Sequence, residues 1–149
     1  MHGPGLMRGY LHDPDANAAV LRGGWLETGD LGCLDATGRL WLVDRREDLI
    51  VRAGQNVYPA EIEAALRLLP EVADAAVVPI ASPDWGQVPF AFVVAAGGPE
   101  LTDSALIRHC IEQLADYKRP VRFMPIHELP RSPSGKILRT ELRRLAELV

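Results

Sequence analysis

What most constrains this chain is the order of its apolar patterns beyond residue 48. Pro59 stands where the first turn of a helix tolerates proline, and Glu61 and Glu63 suit that turn. Ile62, Ala65, Leu66 and Leu69 then recur at helical spacing until Pro70 closes the run. Residues 72–78 and 89–95 are rich in Val, Ala and Phe and bounded by proline or glycine. They predict two buried strands, separated by the loop Ser82-Pro83-Asp84-Trp85-Gly86. Thr102 or Asp103 caps a second helix with an inner stripe of Leu106, Ile107, Cys110, Ile111 and Leu114, which breaks near Asp116. Residues 121–126 predict a third strand. The last helix turns Leu142, Leu145, Ala146 and Val149 inward and Arg139, Arg143 and Arg144 outward. Strands interleaved with helices in this way imply a small α/β or α+β domain whose short sheet is covered by helices.

The part before residue 44 has a different grammar. The first 24 residues are rich in Gly, Pro, Asp and Asn and predict loops, with one short helix near residues 16–21. Residues 31–34 and 39–43 are short apolar runs joined by Asp35-Ala36-Thr37-Gly38, the composition of a β-hairpin. The charged run from Asp44 to Asp48 then interrupts the apolar pattern as a solvated linker does. These signals divide the chain into 1–44, the terminal segment of something larger, and 45–149, a folding unit of its own. With 149 residues, two complete domains are not expected.

Charge and composition remove several functions. The net charge of −4 argues against a general nucleic-acid binder. Residues 118–144 nevertheless hold eight Lys or Arg against Glu128 and Glu141. Such a stretch is either a solvated surface or a site for phosphate-bearing small molecules. The longest apolar run, 88–96, falls well short of the ~18 residues that a membrane span requires, so the expected location is the cytoplasm. Cys33 and Cys110 lie far apart, without disulfide or metal spacing, and are expected as core thiols. The four histidines lack zinc-site spacing, so no metal site is expected.

The residue type that carries chemistry is a lysine. In Leu129-Pro130-Arg131-Ser132-Pro133-Ser134-Gly135-Lys136-Ile137-Leu138-Arg139, two prolines fix the backbone and Gly135 allows a conformation closed to other residues. Lys136 is left at the tip as a mobile ammonium suited to neutralising phosphate. A nucleotide-binding P-loop needs glycine five positions before Gly135 and Ser or Thr after the lysine, and the chain has Pro130 and Ile137 there. Neither a Gly-x-Gly-x-x-Gly fingerprint nor a Gly-x-Ser-x-Gly elbow is present.

Several segments resemble, in order and spacing, the C-terminal part of the adenylate-forming superfamily. They are Gly9-Tyr10, Gly24-Trp25-Leu26-Glu27-Thr28-Gly29-Asp30-Leu31, Asp44-Arg45 through Asn56-Val57-Tyr58-Pro59-Ala60-Glu61-Ile62-Glu63, Tyr117-Lys118-Arg119-Pro120 and Pro133-Ser134-Gly135-Lys136. The resemblance covers nearly the whole chain and points to the acyl-CoA synthetase and acid–CoA ligase branch. The segment Trp85-Gly86-Gln87-Val88-Pro89 is most similar to o-succinylbenzoate–CoA ligases and fatty acyl-CoA synthetases.

That resemblance implies a small C-terminal lid that swings over a large N-terminal domain binding ATP and a carboxylic acid. Its implied roles are Lys136 as the adenylation lysine, Asp30 and Arg45 as ATP or AMP ligands, and Glu47 at the hinge, where the family usually has Asp or Lys. Gly54 would line the channel taken by the thiol of CoA. From spacing alone Asp30 reads as a turn carboxylate at a strand edge, Gly54 is equally an ordinary turn glycine, and Tyr58 and Trp85 read as core or interface aromatics. The implied cofactors are ATP with Mg2+, held mainly by the large domain, and CoA as co-substrate. The implied partner is that large AMP-binding domain, in cis or in trans, and the 149 residues alone are expected to be inactive. The alternative is a noncatalytic lid module or remnant that works only with a separate large subunit.

Overall fold

A computed structural model of the chain describes residues 1–97 and 101–148. Helix α1 (Pro14–Val20) starts where the Asp13 carboxylate accepts from the N–H of Ala16 at 2.9 Å, with proline in its first turn. Two-residue strands β1 (Leu21–Arg22) and β2 (Trp25–Leu26) pair with each other. Next come β3 (Asp30–Leu34) and β4 (Leu40–Arg45), an antiparallel hairpin in which Asp30 faces Arg45. Its turn is built on Asp35. That carboxylate accepts from the Thr37 hydroxyl, the Trp41 indole and the N–H groups of Thr37 and Arg39, which hold it well below the usual carboxylate range.

Beyond the hairpin, β5 (Ile50–Arg52) and β6 (Gln55–Val57) are joined by Ala53-Gly54, both at positive φ (48° and 79°), the geometry of a tight primed turn. Helix α2 (Pro59–Leu66) follows, then the long strands β7 (Val72–Ser82) and β8 (Gly86–Ala95). Helix α3 (Asp103–Gln113) is capped by Thr102, whose hydroxyl accepts from the N–H of Ala105 at 3.3 Å. A single 3-10 turn (Asp116–Lys118), β9 (Arg122–Pro125) and helix α4 (Arg139–Ala146) complete the described chain.

Strand β8 is the axis of a five-stranded mixed sheet. It pairs antiparallel with β7 along its length, parallel with β9 through Phe90–Val93, and with the β5–β6 hairpin at Gly86. Both faces are covered. Val77, Ala91 and Val93 point to α2 and α3 with Ile50, Ile62, Leu66, Leu106 and Cys110, while Ala76, Val78, Phe90 and Phe92 meet Leu142 and Ala146 of α4 on the other side. Burial on both faces explains why the two strands read as unbroken apolar runs. The fold is the small α+β arrangement that the sequence implies, a short mixed sheet with helices on it.

Several side-chain placements differ from expectation. The inner stripe of α3 is Leu106, Cys110 and Leu114, whereas Ile107 and Ile111 are about half exposed. Leu145 is 38% exposed rather than buried, and Val149 lies outside the described residues. Cys33 is exposed because, among the described residues, no layer covers this end of the β3–β4 hairpin. Leu34, Leu40, Trp41 and Leu42 of that hairpin are each more than half exposed. Arg139 and Arg143 turn into the protein, and Asp48 is buried rather than solvated. Trp85 is half exposed with the Arg52 guanidinium over its ring, and Tyr58 is half-buried. No described helix is long and apolar enough to cross a membrane.

Candidate functional site

The loop before α4 is a closed turn that presents its lysine. Arg131 and Ile137 form an antiparallel bridge, the N–H of Gly135 donates to the Ser132 carbonyl at 2.8 Å, and Ser132 donates to the Lys136 carbonyl at 2.8 Å. Gly135 sits at φ 83°, in the left-handed region that favours glycine. The Arg131 side chain donates to the Gly135 carbonyl at 2.7 Å and to Asp74 of β7 at 2.6 Å, pinning the loop to the sheet. Lys136 is exposed, and none of the described residues pairs with its ammonium. A fixed backbone with a free cation at its tip suits the delivery of one positive charge to an external group.

That tip shares a cleft of about 510 Å³ with Arg45, Glu47, Asp48, Arg139 and Arg143. Arg45 bridges outward, its Nε 3.4 Å from Asp30 and its Nη1 3.7 Å from Glu47. Asp30 lies on the rim of a neighbouring hollow of about 320 Å³ with Thr28, Gly29 and Arg46, and its N–H donates to the Thr28 hydroxyl at 3.2 Å. Lys136, Arg45 and Glu47 are therefore brought together directly, and Asp30 joins them through Arg45. Gly54 does not line this cleft.

Beneath the cleft lies a buried ionic cluster. Arg139, three residues after Lys136, donates to both oxygens of Glu63 (2.5 and 3.2 Å) and to the Val77 carbonyl (3.0 Å), and its Nε approaches Asp48 at 3.3 Å. Glu63 also accepts from the Val77 N–H at 2.8 Å. Arg143 donates to Asp48 at 2.6 Å and to the Glu47 carbonyl at 3.1 Å. Burial pushes the Asp48 carboxyl upward against the pull of the two guanidiniums. For Arg139, burial opposes the charge, but the bonds and charges of Glu63, Asp48 and Asp44 outweigh it and raise the pKa. Sequence reasoning placed Arg139 on the solvent side and gave Glu63 only a first-turn role. The available signal was Glu63 itself, a carboxylate one turn from Pro59 and Leu66 on the apolar stripe of α2.

Gly54 belongs to a second region. A Cβ built there would meet nothing within 4 Å, so the backbone of the turn is open. Arg52 secures the turn by donating to the Tyr117 carbonyl at 3.0 Å. Nearby, Lys118 donates to both oxygens of Glu61 at 2.6 and 2.8 Å, and that bonding raises the lysine pKa.

Among the described residues, no group of three or more His, Cys, Asp or Glu side chains is placed to hold a metal ion.

Similarity to known proteins bears on this geometry. The chain is 50% identical over 145 residues to a 2-succinylbenzoate–CoA ligase of Bacillus mycoides, covering 97% of this chain and 30% of the relative. The o-succinylbenzoate CoA synthetase of Bacillus subtilis superposes with a TM-score of 0.87 in its complex with the acyl-adenylate intermediate, at 43% identity over 95% of this chain and 29% of that one. The same enzyme in complex with ATP and a magnesium ion gives a TM-score of 0.85 at 42% identity, with the same shares of both chains covered. The chain thus spans about 30% of the length of the relatives it matches. The model of the AMP-binding enzyme C-terminal domain matches residues 61–136, half of the chain, from the glutamate held by Lys118 to the exposed loop lysine. The chain belongs to that family.

Proposed function

We propose that this chain supplies the lid side of an acid–CoA ligase site, residues 45–149 forming the lid and residues 1–44 belonging with a large ATP-binding domain in cis or in trans. The observation that carries this reading is the exposed, unpaired Lys136 on a pinned loop, sharing one cleft with Arg45 and, through it, Asp30. In the first step a carboxylate oxygen bonds to the α-phosphorus of ATP, the bond to the β-phosphate oxygen breaks, and pyrophosphate leaves. Both reactants are anionic. Lys136 stabilises the negative charge developing on the α-phosphate, while Asp30 accepts from the ribose hydroxyls and Arg45 holds the ribose or phosphate. In the second step the sulfur of CoA bonds to the acyl carbon, the thiol proton is lost and AMP departs. The open Gly54 turn is the part of the lid past which the pantetheine thiol approaches after the lid has swung about Glu47. The large domain would hold magnesium with ATP, where the ion would neutralise phosphate charge.

The relatives' names make 2-succinylbenzoate the first acid to test. The test joins this chain to the part of the Bacillus mycoides relative that it does not cover. ATP–pyrophosphate exchange that depends on the acid supports the reading. Lys136→Ala should lower that exchange by ~10² to 10³, the usual effect of removing one preorganised donor. A chimera that exchanges equally well with and without Lys136 contradicts the role.

A further inference from the structure

We propose that Asp44 is a positioning residue, a latch that caps helix α2 from across the Glu47 hinge and so holds the lid in the orientation that brings Lys136 into the cleft with Arg45. This rests on the reading of Glu47 as hinge and Lys136 as adenylation lysine.

Asp44 lies on β4, opposite Leu31 of β3, on the hairpin side of Glu47. One carboxylate oxygen accepts from the Arg45 N–H at 2.8 Å, and the other accepts from the N–H of Ala60 at 3.1 Å. Ala60 is in the first turn of α2, where the helix leaves backbone donors without internal partners, and Tyr58 at its N-cap offers no side-chain acceptor. The helix therefore takes its cap from a residue that precedes the hinge. A carboxylate at a helix N-terminus is also favoured by the helix dipole.

The bond leads directly to the lysine. Ala60 and Glu63 lie one turn apart on α2, Glu63 grips Arg139, and Arg139 is three residues from Lys136. The links of that path, Ala60 to Glu63 along α2 and Glu63 to Arg139, lie on the lid side and travel with it when φ or ψ of Glu47 changes. So does the bond from Arg143 to the Glu47 carbonyl, because that carbonyl shares a peptide plane with Asp48. The Asp44–Ala60 bond, by contrast, joins the two sides. It breaks when the lid turns, and its strength biases one orientation against the other. The exposed Arg45–Glu47 ion pair, 3.7 Å long, and the bond from the Asp48 N–H to the Arg45 carbonyl at 3.1 Å span the same joint, but neither reaches α2.

The experiment uses the chimeric ligase with Asp44→Ala and Asp44→Asn. It measures adenylation by pyrophosphate exchange and thioester formation from prepared acyl-adenylate and CoA. Losing a hydrogen bond to a charged acceptor should shift the ratio of the two half-reactions about tenfold towards the second, with Asp44→Asn intermediate. Ala60→Pro removes the donor in a turn that tolerates proline and should reproduce the shift even if the Asp44 variants fold poorly. A merely structural role would lower both half-reactions together, and that result, or an unchanged ratio, overturns the proposal. Lys136→Ala is run in parallel. If it leaves adenylation intact, the assignment of the lysine falls and the latch falls with it; if it abolishes adenylation while the Asp44 and Ala60 variants leave the ratio unmoved, only the latch is wrong.

Discussion

Arg139 and Glu63 meet as a two-pronged pair, 76 residues apart in sequence, with 18% and 5% of their side chains exposed. The pair ties the helix after the lysine loop to α2 and, through Val77, to the central sheet. It braces the end of the lysine loop against the sheet.

Removing one partner of such a pair leaves an uncompensated buried charge. Arg139→Ala should destabilise the 149-residue chain by about 3–5 kcal/mol in urea denaturation, and the double change Arg139→Met with Glu63→Leu should recover only part of that loss, because it removes the buried charge but leaves the N–H and carbonyl of Val77 without these partners. If the single change has an effect below about 1 kcal/mol, the pair is not the clamp described here.

This cluster marks the limit of what the sequence shows. The apolar periods of α2, the twin strands β7 and β8, the Thr102 cap and the hairpin turn at Asp35 were all readable, because each depends on neighbours in sequence. Arg139 was misplaced for the opposite reason. A charge on an amphipathic helix points to solvent unless distant carboxylates wait for it, and the local pattern does not reveal that Asp48 and Glu63 converge there. Ile107 and Ile111 were misassigned because one face of α3 satisfies helical spacing as well as its neighbour, and only packing chose Leu106, Cys110 and Leu114. Lys136 was legible from its loop chemistry, whereas its cleft with Arg45 and Glu47 required the fold.

The two cysteines should differ sharply in reactivity. Cys33 is exposed and Cys110 is 1% exposed, with burial pushing its thiol up to about 11. Iodoacetamide at pH 8 should label Cys33 and spare Cys110 until the chain unfolds, as read by mass spectrometry of peptides.

Cys110 also carries a pH signature. Its folded value lies above the ordinary 9.0, so the folded chain keeps a proton that the unfolded chain releases. Stability should therefore fall as pH rises from about 9 and level off above about 11, by roughly 2–3 kcal/mol, relative to a Cys110→Ala chain measured in parallel. Identical slopes for the two chains would show that the thiol does not titrate in this window.

Gly54 offers a test of the second half-reaction. Its φ of 79° disfavours any side chain, and the space above it is open, so Gly54→Leu places a side chain where the thiol is proposed to pass. In the chimeric ligase, thioester formation should drop at least tenfold while pyrophosphate exchange stays within about threefold of the parent. Equal loss in both would point to a damaged fold instead.

The most direct measurement is the rate of each half-reaction in the chimeric ligase with and without Lys136. For Lys136→Ala, acyl-adenylate formation should fall by ~10² to 10³ while thioester formation from prepared adenylate persists. Equal loss of both steps, or adenylation at the parental rate, would contradict a loop whose purpose is to bring one ammonium to the reacting phosphate.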